Sequence, residues 1–274
     1  MNEIKRFQIR GVPGLVQRVN FNGRIVDYWS PYQPTGHLLI AHDGQNVFDR
    51  RTATHLKTWE MAQSALRVSE KLGIAPPAII GVFHSSTPEN PWGRAKDLSP
   101  QDPFQTTVQV LAKISGDMKK EDLAGNAYLS QITDEIAPTI TQSLGLDLPS
   151  LDTAIIGSSM GGLASLYALG KRPDFFTTAL ALSTHWPIGG NPLVDALLDP
   201  LPKPGRHKVW MSHGDKGLDA DYAPFQKYAD EKMSQLGWRL GREFHTHVYK
   251  KSGHNERSWA KYLDQPMTFW LSGL

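Results

Sequence analysis

The stretch "TAIIGSSMGGLASLYALG", residues 153–170, joins a short apolar run to a longer apolar segment through a turn rich in glycine and serine. The run "TAIIG" has the length and composition of a buried strand. The segment "MGGLASLYALGKRP" is long enough for a helix, which is predicted to end between Gly170 and Pro173. This part of the chain therefore predicts a strand, a sharp turn and a helix.

Short apolar runs alternate with amphipathic segments along the rest of the chain. A strand that runs into a loop is predicted at "HLLIAHDGQNVF". Further strands are predicted at "PAIIGVFHSS", "TALALSTHW", "HKVWMSHG" and "FHTHVYKKSG", and helices at "TWEMAQSALRVSEKLG", "AYLSQITDEIAPTITQSLG" and "FQKYADEKMSQLG". "RVNFNGRIVDYWSP" predicts a hairpin that turns at Asn22 and Gly23. Strands that alternate with helices indicate an α/β fold with a mostly parallel sheet covered on both faces. We expect one domain over residues 1–274, with residues 1–36 as its N-terminal hairpin region.

Composition excludes several classes of protein. The chain has 274 residues, of which 40% are hydrophobic and 20% charged, as in ordinary globular proteins. A net charge of +2 is too small for an electrostatic nucleic-acid footprint. Without cysteine the chain has neither disulfides nor a catalytic thiolate. The N-terminus lacks a signal-like apolar region, and no apolar run approaches about 18 residues. We expect a soluble, cytoplasmic protein with no nucleic-acid or membrane partner.

One of the two adjacent serines has the spacing of a nucleophile. Ser159 occupies the centre of G-x-S-x-G between Gly157 and Gly161, whereas Ser158 does not. Small flanking residues allow a strained strand-to-helix turn that exposes the serine at the carboxyl edge of a sheet. The alternative is a glycine-rich turn that only packs a helix against a strand. The predicted strand and helix on either side favour the nucleophile.

A serine hydroxyl needs a base, which is in turn oriented by an acid. His254 follows the last predicted strand on a Ser-Gly turn, which places it in a loop at the sheet edge. The alternative role for His254 is that of a helix-capping turn residue. His245 and His247 alternate within the strand itself, where they are expected to face the surface or the core. His254 is therefore the predicted base.

The acid is expected after the preceding strand, in "WMSHGDKGLDADY". This segment offers Asp215, Asp219 and Asp221. Asp215 directly follows a glycine at the strand end, Asp219 comes after the turn, and Asp221 is placed to cap the next helix. Position along the sequence leaves all three open.

An acyl-transfer site also needs donors for an oxyanion. The backbone N–H of Met160, directly after the serine, is one candidate. The second is expected in "AHDGQNVFD", where Gly44 allows close backbone approach and Gln45 can present its N–H, although a plain turn between two elements is the alternative. His42 and Asp43 have no matching cluster with metal-ligand spacing, so neither a metal nor another cofactor is predicted.

Five motifs together resemble one known family. They are "HDGQNVFD", "WGRAKDLSP", "GSSMGG", "HGDKGLDADYAPFQ" and "GHNERSW". Their order and content are similar to the esterase D family of α/β hydrolases, which includes enterochelin-esterase-like proteins, S-formylglutathione hydrolases, feruloyl and acetylxylan esterases, and mycolyltransferases. The resemblance runs from about residue 38 to the C-terminus and implies an α/β-hydrolase fold.

The resemblance also implies roles for individual residues. It implies Ser159 as nucleophile, His254 as base, and an oxyanion pocket from Gln45 and Met160. The segment "GLDADYAPFQ" resembles the one that carries the family's acid, which favours Asp219. No appended siderophore-recognition or carbohydrate-binding domain is recognisable, so the resemblance does not imply a narrow substrate.

Substrate contacts are expected from the long loop "HSSTPENPWGRAKDLSPQDPFQ" and from "LSTHWPIGG". Arg94 followed by Asp97 resembles a pair common in the family, with a solvated surface pair as the alternative. Trp92 and Trp186 are candidate substrate-binding aromatics, with simple packing as the alternative. The expected function is serine carboxylic-ester hydrolysis of a small or medium ester. An acyltransferase with the same triad and a non-catalytic binding protein are the alternatives.

Overall fold

A computed structural model describes residues 1–32, 35–110 and 119–273. The strands are β1 Asn2–Phe7, β2 Val16–Phe21, β3 Arg24–Trp29, β4 His37–Ala41, β5 Ala78–Val82, β6 Asp152–Ser158, β7 Thr178–Leu182, β8 Lys208–Lys216 and β9 Phe244–Gly253. The helices are α1 Met61–Leu72, α2 Gly93–Leu98, α3 Gln101–Thr106, α4 Gly125–Ser130, α5 Ala137–Ser143, α6 Met160–Lys171, α7 Gly190–Leu198, α8 Ala223–Gln235, α9 Glu256–Tyr262 and α10 Asp264–Leu271. A π-helical segment, Gln131–Ile136, joins α4 to α5.

The strands form one mixed sheet in the order β1-β2-β3-β5-β4-β6-β7-β8-β9. Pairing is antiparallel from β1 to β2, β2 to β3 and β3 to β5. It is parallel between β4 and β5, β7 and β8, and β8 and β9. Strands β4, β5 and β7 are almost wholly buried, as expected of parallel strands that are covered on both faces. The chain segments that follow β7, β8 and β9 therefore start from one edge of the sheet.

The chain divides into two compact units. The first contains Met1–His84, Ser130–Ile155 and Asn255–Gly273, and the second contains Ser85–Leu129 and Ile156–His254. The predicted nucleophile, base and acid all belong to the second unit. The organisation as one domain over residues 1–274 stays a prediction.

The predicted N-terminal hairpin is present in the first unit. Strands β2 and β3 pair around Asn22 and Gly23, which have φ of 51° and 95°. Positive φ at both positions is what a two-residue hairpin turn requires. Across the same pair of strands, Arg18 holds the fully buried Asp27 through two hydrogen bonds of 2.6 and 2.7 Å. Burial raises the pKa of Asp27, and the guanidinium of Arg18 opposes that effect.

Some elements differ from the sequence-based expectation. Strand β1 was not predicted, because its side chains are mostly exposed and form no apolar run. The expected long loop over residues 84–105 contains α2 and part of α3, which at six residues each are too short to show a helical period. Among the described helices, none is long and apolar enough to cross a membrane.

Candidate active site

Ser159 lies at the turn between β6 and α6, as the G-x-S-x-G spacing predicts. Its backbone has φ 58° and ψ −119°, a strained conformation for a residue other than glycine. Backbone hydrogen bonds to the end of β7 and to the loop after it help to hold it: the Ser159 N–H donates to the carbonyl of Leu182 at 2.9 Å, and the His185 N–H donates to the carbonyl of Ser159 at 3.2 Å. Ser159 is partly exposed, whereas Ser158 is buried in the strand.

The glycines around Ser159 are required by close backbone contacts. A Cβ on Gly157 would lie 2.4 Å from the carbonyl oxygen of Gly161, in the first turn of α6. A Cβ on Gly162 would lie 2.9 Å from the hydroxyl of Thr184. The motif therefore packs α6 directly onto the strand ends around the serine.

Replacing Gly157 by alanine is expected to destabilise the protein by about 1–3 kcal/mol, because the new methyl group meets backbone atoms that cannot rotate away. The matched control is Gly170→Ala in α6, where the nearest atom is Pro200 Cβ at 3.5 Å. That change is expected to be neutral or to stabilise by up to about 1 kcal/mol, since alanine favours a helix over glycine. Thermal unfolding of both variants measures the difference. Equal melting temperatures would contradict the packing account.

Asp219 and His254 are hydrogen-bonded to each other. Asp219 Oδ1 lies 2.6 Å from His254 Nδ1. The other carboxylate oxygen accepts hydrogen bonds from the Ser183 hydroxyl and from the Gly214 N–H, both at 2.7 Å. Ser183 follows β7, Gly214 lies in β8 and His254 follows β9, while Asp219 lies in a 3₁₀ turn, Gly217–Asp221. The hydrogen-bond donors to the Asp219 carboxylate therefore lie in or directly after three neighbouring strands, β7, β8 and β9.

The surroundings of Asp219 favour its ionised form. The residue is only 1% exposed, and burial alone would raise its pKa. Hydrogen bonds from His254, Ser183 and Gly214 outweigh burial and leave the pKa of Asp219 below its ordinary value. A carboxylate only accepts hydrogen bonds, so His254 Nδ1 must be the donor. In neutral His254, Nε2 then carries the lone pair that a base needs.

The other two candidate acids occupy different environments. Asp215 Oδ1 accepts the Lys251 N–H at 2.6 Å. Asp221 is exposed, and α8 begins after Tyr222 without a side-chain cap, so the helix-capping role considered for Asp221 is wrong. Of the three aspartates, the structure brings Asp219 to His254.

The structure also shows which residue caps α9 and where the other two candidate histidines lie. Asn255, not His254, caps α9, because its side chain accepts the N–H of Ser258 at 3.0 Å. His245 and His247 lie in β9 as predicted, with parallel rings whose centroids are 6.4 Å apart. His247 is exposed, and His245 is half-buried.

The predicted oxyanion donors belong to different units. Met160 opens α6 in the second unit. Gln45 lies in the first unit, in a 3₁₀ turn Gly44–Asn46 that follows β4, and its side-chain amide donates to Asp43 at 3.3 Å. A Cβ on Gly44 would lie 2.3 Å from the carbonyl carbon of Gly81, so the expected close backbone approach is present. Their joint role as an oxyanion pocket stays a prediction.

Among the predicted substrate-binding residues, Trp92 and Arg94 are partly exposed at the start of α2. Asp97 is buried and accepts the Ser85 N–H at 2.7 Å, so it is not part of a solvated surface pair. Trp186 is fully buried, and its indole N–H donates to the side chain of Gln226 at 3.2 Å. The position of Trp186 matches the packing alternative, and its substrate role stays a prediction.

Sequence reasoning missed two residues that lie next to the predicted base or the predicted nucleophile. Tyr222 is fully buried, and its ring meets the ring of His254 edge-on at a centroid distance of 5.8 Å. Its hydroxyl lies 2.6 Å from Nδ1 of His185. Tyr222 falls inside the motif "HGDKGLDADYAPFQ" and His185 inside the stretch "LSTHWPIGG", but no local pattern indicates that side chains 37 positions apart meet.

No metal centre is found within the described ranges, where no group of three or more His, Asp or Glu side chains is arranged to hold an ion. The chemistry that this arrangement offers is proton transfer through His254, with Asp219 fixing its ring. Ser159 lies at the end of β6, in the same unit of the chain.

Comparison with known proteins gives one family match. The model of the family described as "Putative esterase" matches residues 18–269. The Uncharacterized protein YbbA of Bacillus subtilis (strain 168) is 26% identical over 157 residues, which cover 54% of this chain and 60% of YbbA. The matched stretch thus spans less than two thirds of that relative.

Solved structures share the fold. The enterobactin esterase FES from Shigella flexneri superposes with a TM-score of 0.66 and 14% identity over 97% of this chain and 61% of FES. An S-formylglutathione hydrolase from Agrobacterium tumefaciens superposes with a TM-score of 0.61 and 13% identity over 100% of both chains. These likenesses confirm the predicted α/β-hydrolase fold.

Proposed function

Because the chain belongs to the esterase family whose model spans residues 18–269, we propose that it is a serine carboxylic-ester hydrolase with a Ser-His-Asp triad. The observation that carries the proposal is the 2.6 Å hydrogen bond between buried Asp219 and His254. Asp219 follows β8 and His254 follows β9, and Ser159 likewise follows a strand, β6. This supports Ser159 as nucleophile, His254 as base and Asp219 as the orienting acid.

In the first half of the proposed reaction, Ser159 Oγ attacks the ester carbonyl and His254 Nε2 takes its proton. Asp219 keeps Nδ1 protonated and stabilises the imidazolium that forms. His254 then gives the proton to the leaving alcohol oxygen as the carbon–oxygen bond breaks. The product of this half is an acyl group on Ser159.

In the second half, His254 activates a water molecule that attacks the acyl-enzyme and releases the acid. The backbone N–H of Met160, directly after the nucleophile, is a proposed oxyanion donor in both halves. Trp92, directly before α2, and Arg94, in its first turn, are partly exposed and are proposed to contact the substrate, which we take to be a small or medium ester.

A panel of p-nitrophenyl esters from acetate to dodecanoate tests the proposal, together with feruloyl, acetyl-sugar and cyclic catecholate esters. We expect saturable release of alcohol and free acid in equal amounts, with loss of activity after treatment with a fluorophosphonate. Product should stay as free acid when excess alcohol is added. Transfer of the acyl group to that alcohol would identify an acyltransferase instead. No turnover of any ester would contradict the proposed function.

A further inference from the structure

A second histidine lies beside the proposed triad and has no part in the mechanism so far. His185 follows β7, and its backbone N–H bonds the carbonyl of Ser159 at 3.2 Å. Its Nδ1 lies 2.6 Å from the hydroxyl of Tyr222, whose ring also meets His254. The ring centroid of Tyr222 is thus 5.8 Å from that of each imidazole.

The hydrogen bond to Tyr222 fixes which nitrogen of His185 carries the proton. The Tyr222 hydroxyl is fully buried and has no other hydrogen-bond partner among the described residues. A buried hydroxyl that keeps its proton unpaired is strongly disfavoured, so Tyr222 donates and His185 Nδ1 accepts. Neutral His185 therefore carries its proton on Nε2.

His185 is also held in its uncharged form. Burial lowers the pKa of His185 to about 4, and the nearby charges of His254 and Arg94 act in the same direction, against a smaller opposite effect of Asp219. The imidazole is consequently neutral at the pH at which His254 must act as a base. His185 is thus a hydrogen-bond donor whose protonation state does not change while His254 gains and loses a proton.

The Nε2–H of His185 has no use among the described residues. The side chain is partly exposed, and Nε2 has no hydrogen-bond partner in the described ranges of the chain. Its backbone is tied to Ser159, so the imidazole lies beside the residue that is proposed to carry the acyl group. A fixed, neutral and unused N–H at this place is suited to bind an oxygen of a substrate.

We propose that His185 is a specificity-determining residue whose Nε2–H donates a hydrogen bond to an oxygen of the ester outside the reacting carboxyl group. This inference rests on the proposed function. The acceptor is an uncharged ether, hydroxyl or carbonyl oxygen, carried by the acyl chain or by the alcohol. Tyr222 is the positioning residue that keeps the donor on Nε2.

Pairs of esters that differ by one oxygen for one methylene test the proposal. For the acyl side, p-nitrophenyl methoxyacetate is compared with the butanoate, and 3-methoxypropanoate with the pentanoate. For the alcohol side, 2-methoxyethyl butanoate is compared with butyl butanoate. Each ratio of kcat/KM is divided by the ratio of the alkaline hydrolysis rates of the same two esters, which removes their difference in intrinsic reactivity.

In the wild-type protein we expect at least one corrected ratio to favour the oxygen ester by about three- to tenfold, the effect of one added hydrogen bond. In His185→Leu this ratio should fall to about one, and in His185→Gln, which keeps an N–H donor, it should stay above one. A ratio that survives in His185→Leu would overturn the proposal, as would a wild-type ratio of one for every pair.

Tyr222→Phe keeps the ring against His254 and removes only the hydroxyl. It is expected to lower the corrected ratio in the wild-type background and to leave it unchanged in His185→Leu, because the two residues act through one hydrogen bond. Equal effects of Tyr222→Phe in both backgrounds would overturn the positioning role.

Nitrogen-15 NMR of the histidine rings gives a readout that does not depend on turnover. His185 should show the Nε2–H tautomer and should not titrate between pH 5.5 and 8. A charged ring or an Nδ1–H tautomer of His185 at pH 7 would overturn this inference and leave the proposed function standing. Absence of turnover on every ester would instead overturn the proposed function and the inference with it.

Discussion

Replacement of Ser159 by alanine is expected to lower kcat for ester hydrolysis by roughly 10⁶-fold, the loss seen when a triad serine is removed. The strained turn places this hydroxyl at the end of β6, and no acyl-enzyme can form without it. The variant should also lose covalent labelling by a fluorophosphonate. A small residual rate is expected, because the proposed oxyanion donor remains.

Ser158→Ala is the matched control, since it removes a neighbouring hydroxyl that is buried in β6. This variant is expected to label with the fluorophosphonate as the wild type does. Labelling stoichiometry by mass spectrometry and initial rates with p-nitrophenyl butanoate measure both variants. Labelling that persists in Ser159→Ala and disappears in Ser158→Ala would reject Ser159 as the nucleophile.

Asp219→Asn is expected to lower kcat by about 10⁴-fold while the protein stays folded. The amide can donate a hydrogen bond to His254 Nδ1, which stabilises the tautomer with the proton on Nε2. That tautomer cannot accept a proton from Ser159. The loss should therefore appear in kcat and in the rate of fluorophosphonate labelling, since both need the base.

Asp215→Asn is the matched control for this change. Asp215 uses one oxygen to accept the Lys251 N–H, and the asparagine oxygen can do the same. We expect a near-normal rate, with both variants retaining cooperative thermal unfolding. A folded but inactive Asp215→Asn beside a normally active Asp219→Asn would reverse the assignment of the acid.

The sequence predicted those features that depend on neighbouring residues. The strand, turn and helix around Ser159 follow from an apolar run and a fixed glycine spacing. The bounds of β9 match the predicted "FHTHVYKKSG" throughout, because Gly253 marks its end. The hairpin at Asn22 and Gly23 likewise follows from a local turn signal.

Other features depend on which strands are neighbours and could not be predicted. Spacing alone left Asp215, Asp219 and Asp221 open, and the resemblance favoured Asp219. The side-chain directions at the end of β8 depend on an irregular register with β9 between Gly214 and Lys216. The contact of His185 with Tyr222 joins the loop after β7 to the segment after β8. Strand β1 is an exposed edge strand, and its sequence has no apolar pattern.

The three donors on Asp219 have a consequence for how the protein folds. The bonds from Ser183 and His254 close loops of 36 and 35 residues, so neither can form within a local segment. Such long-range contacts carry a loop-closure cost and arise late relative to local helices and hairpins. A chain in which β7, β8 and β9 have not yet docked holds every residue of the proposed triad but has no oriented base. If the proposed triad acts, catalytic competence is therefore a property of the docked strands β7, β8 and β9, and incompletely folded chains are expected to be inactive.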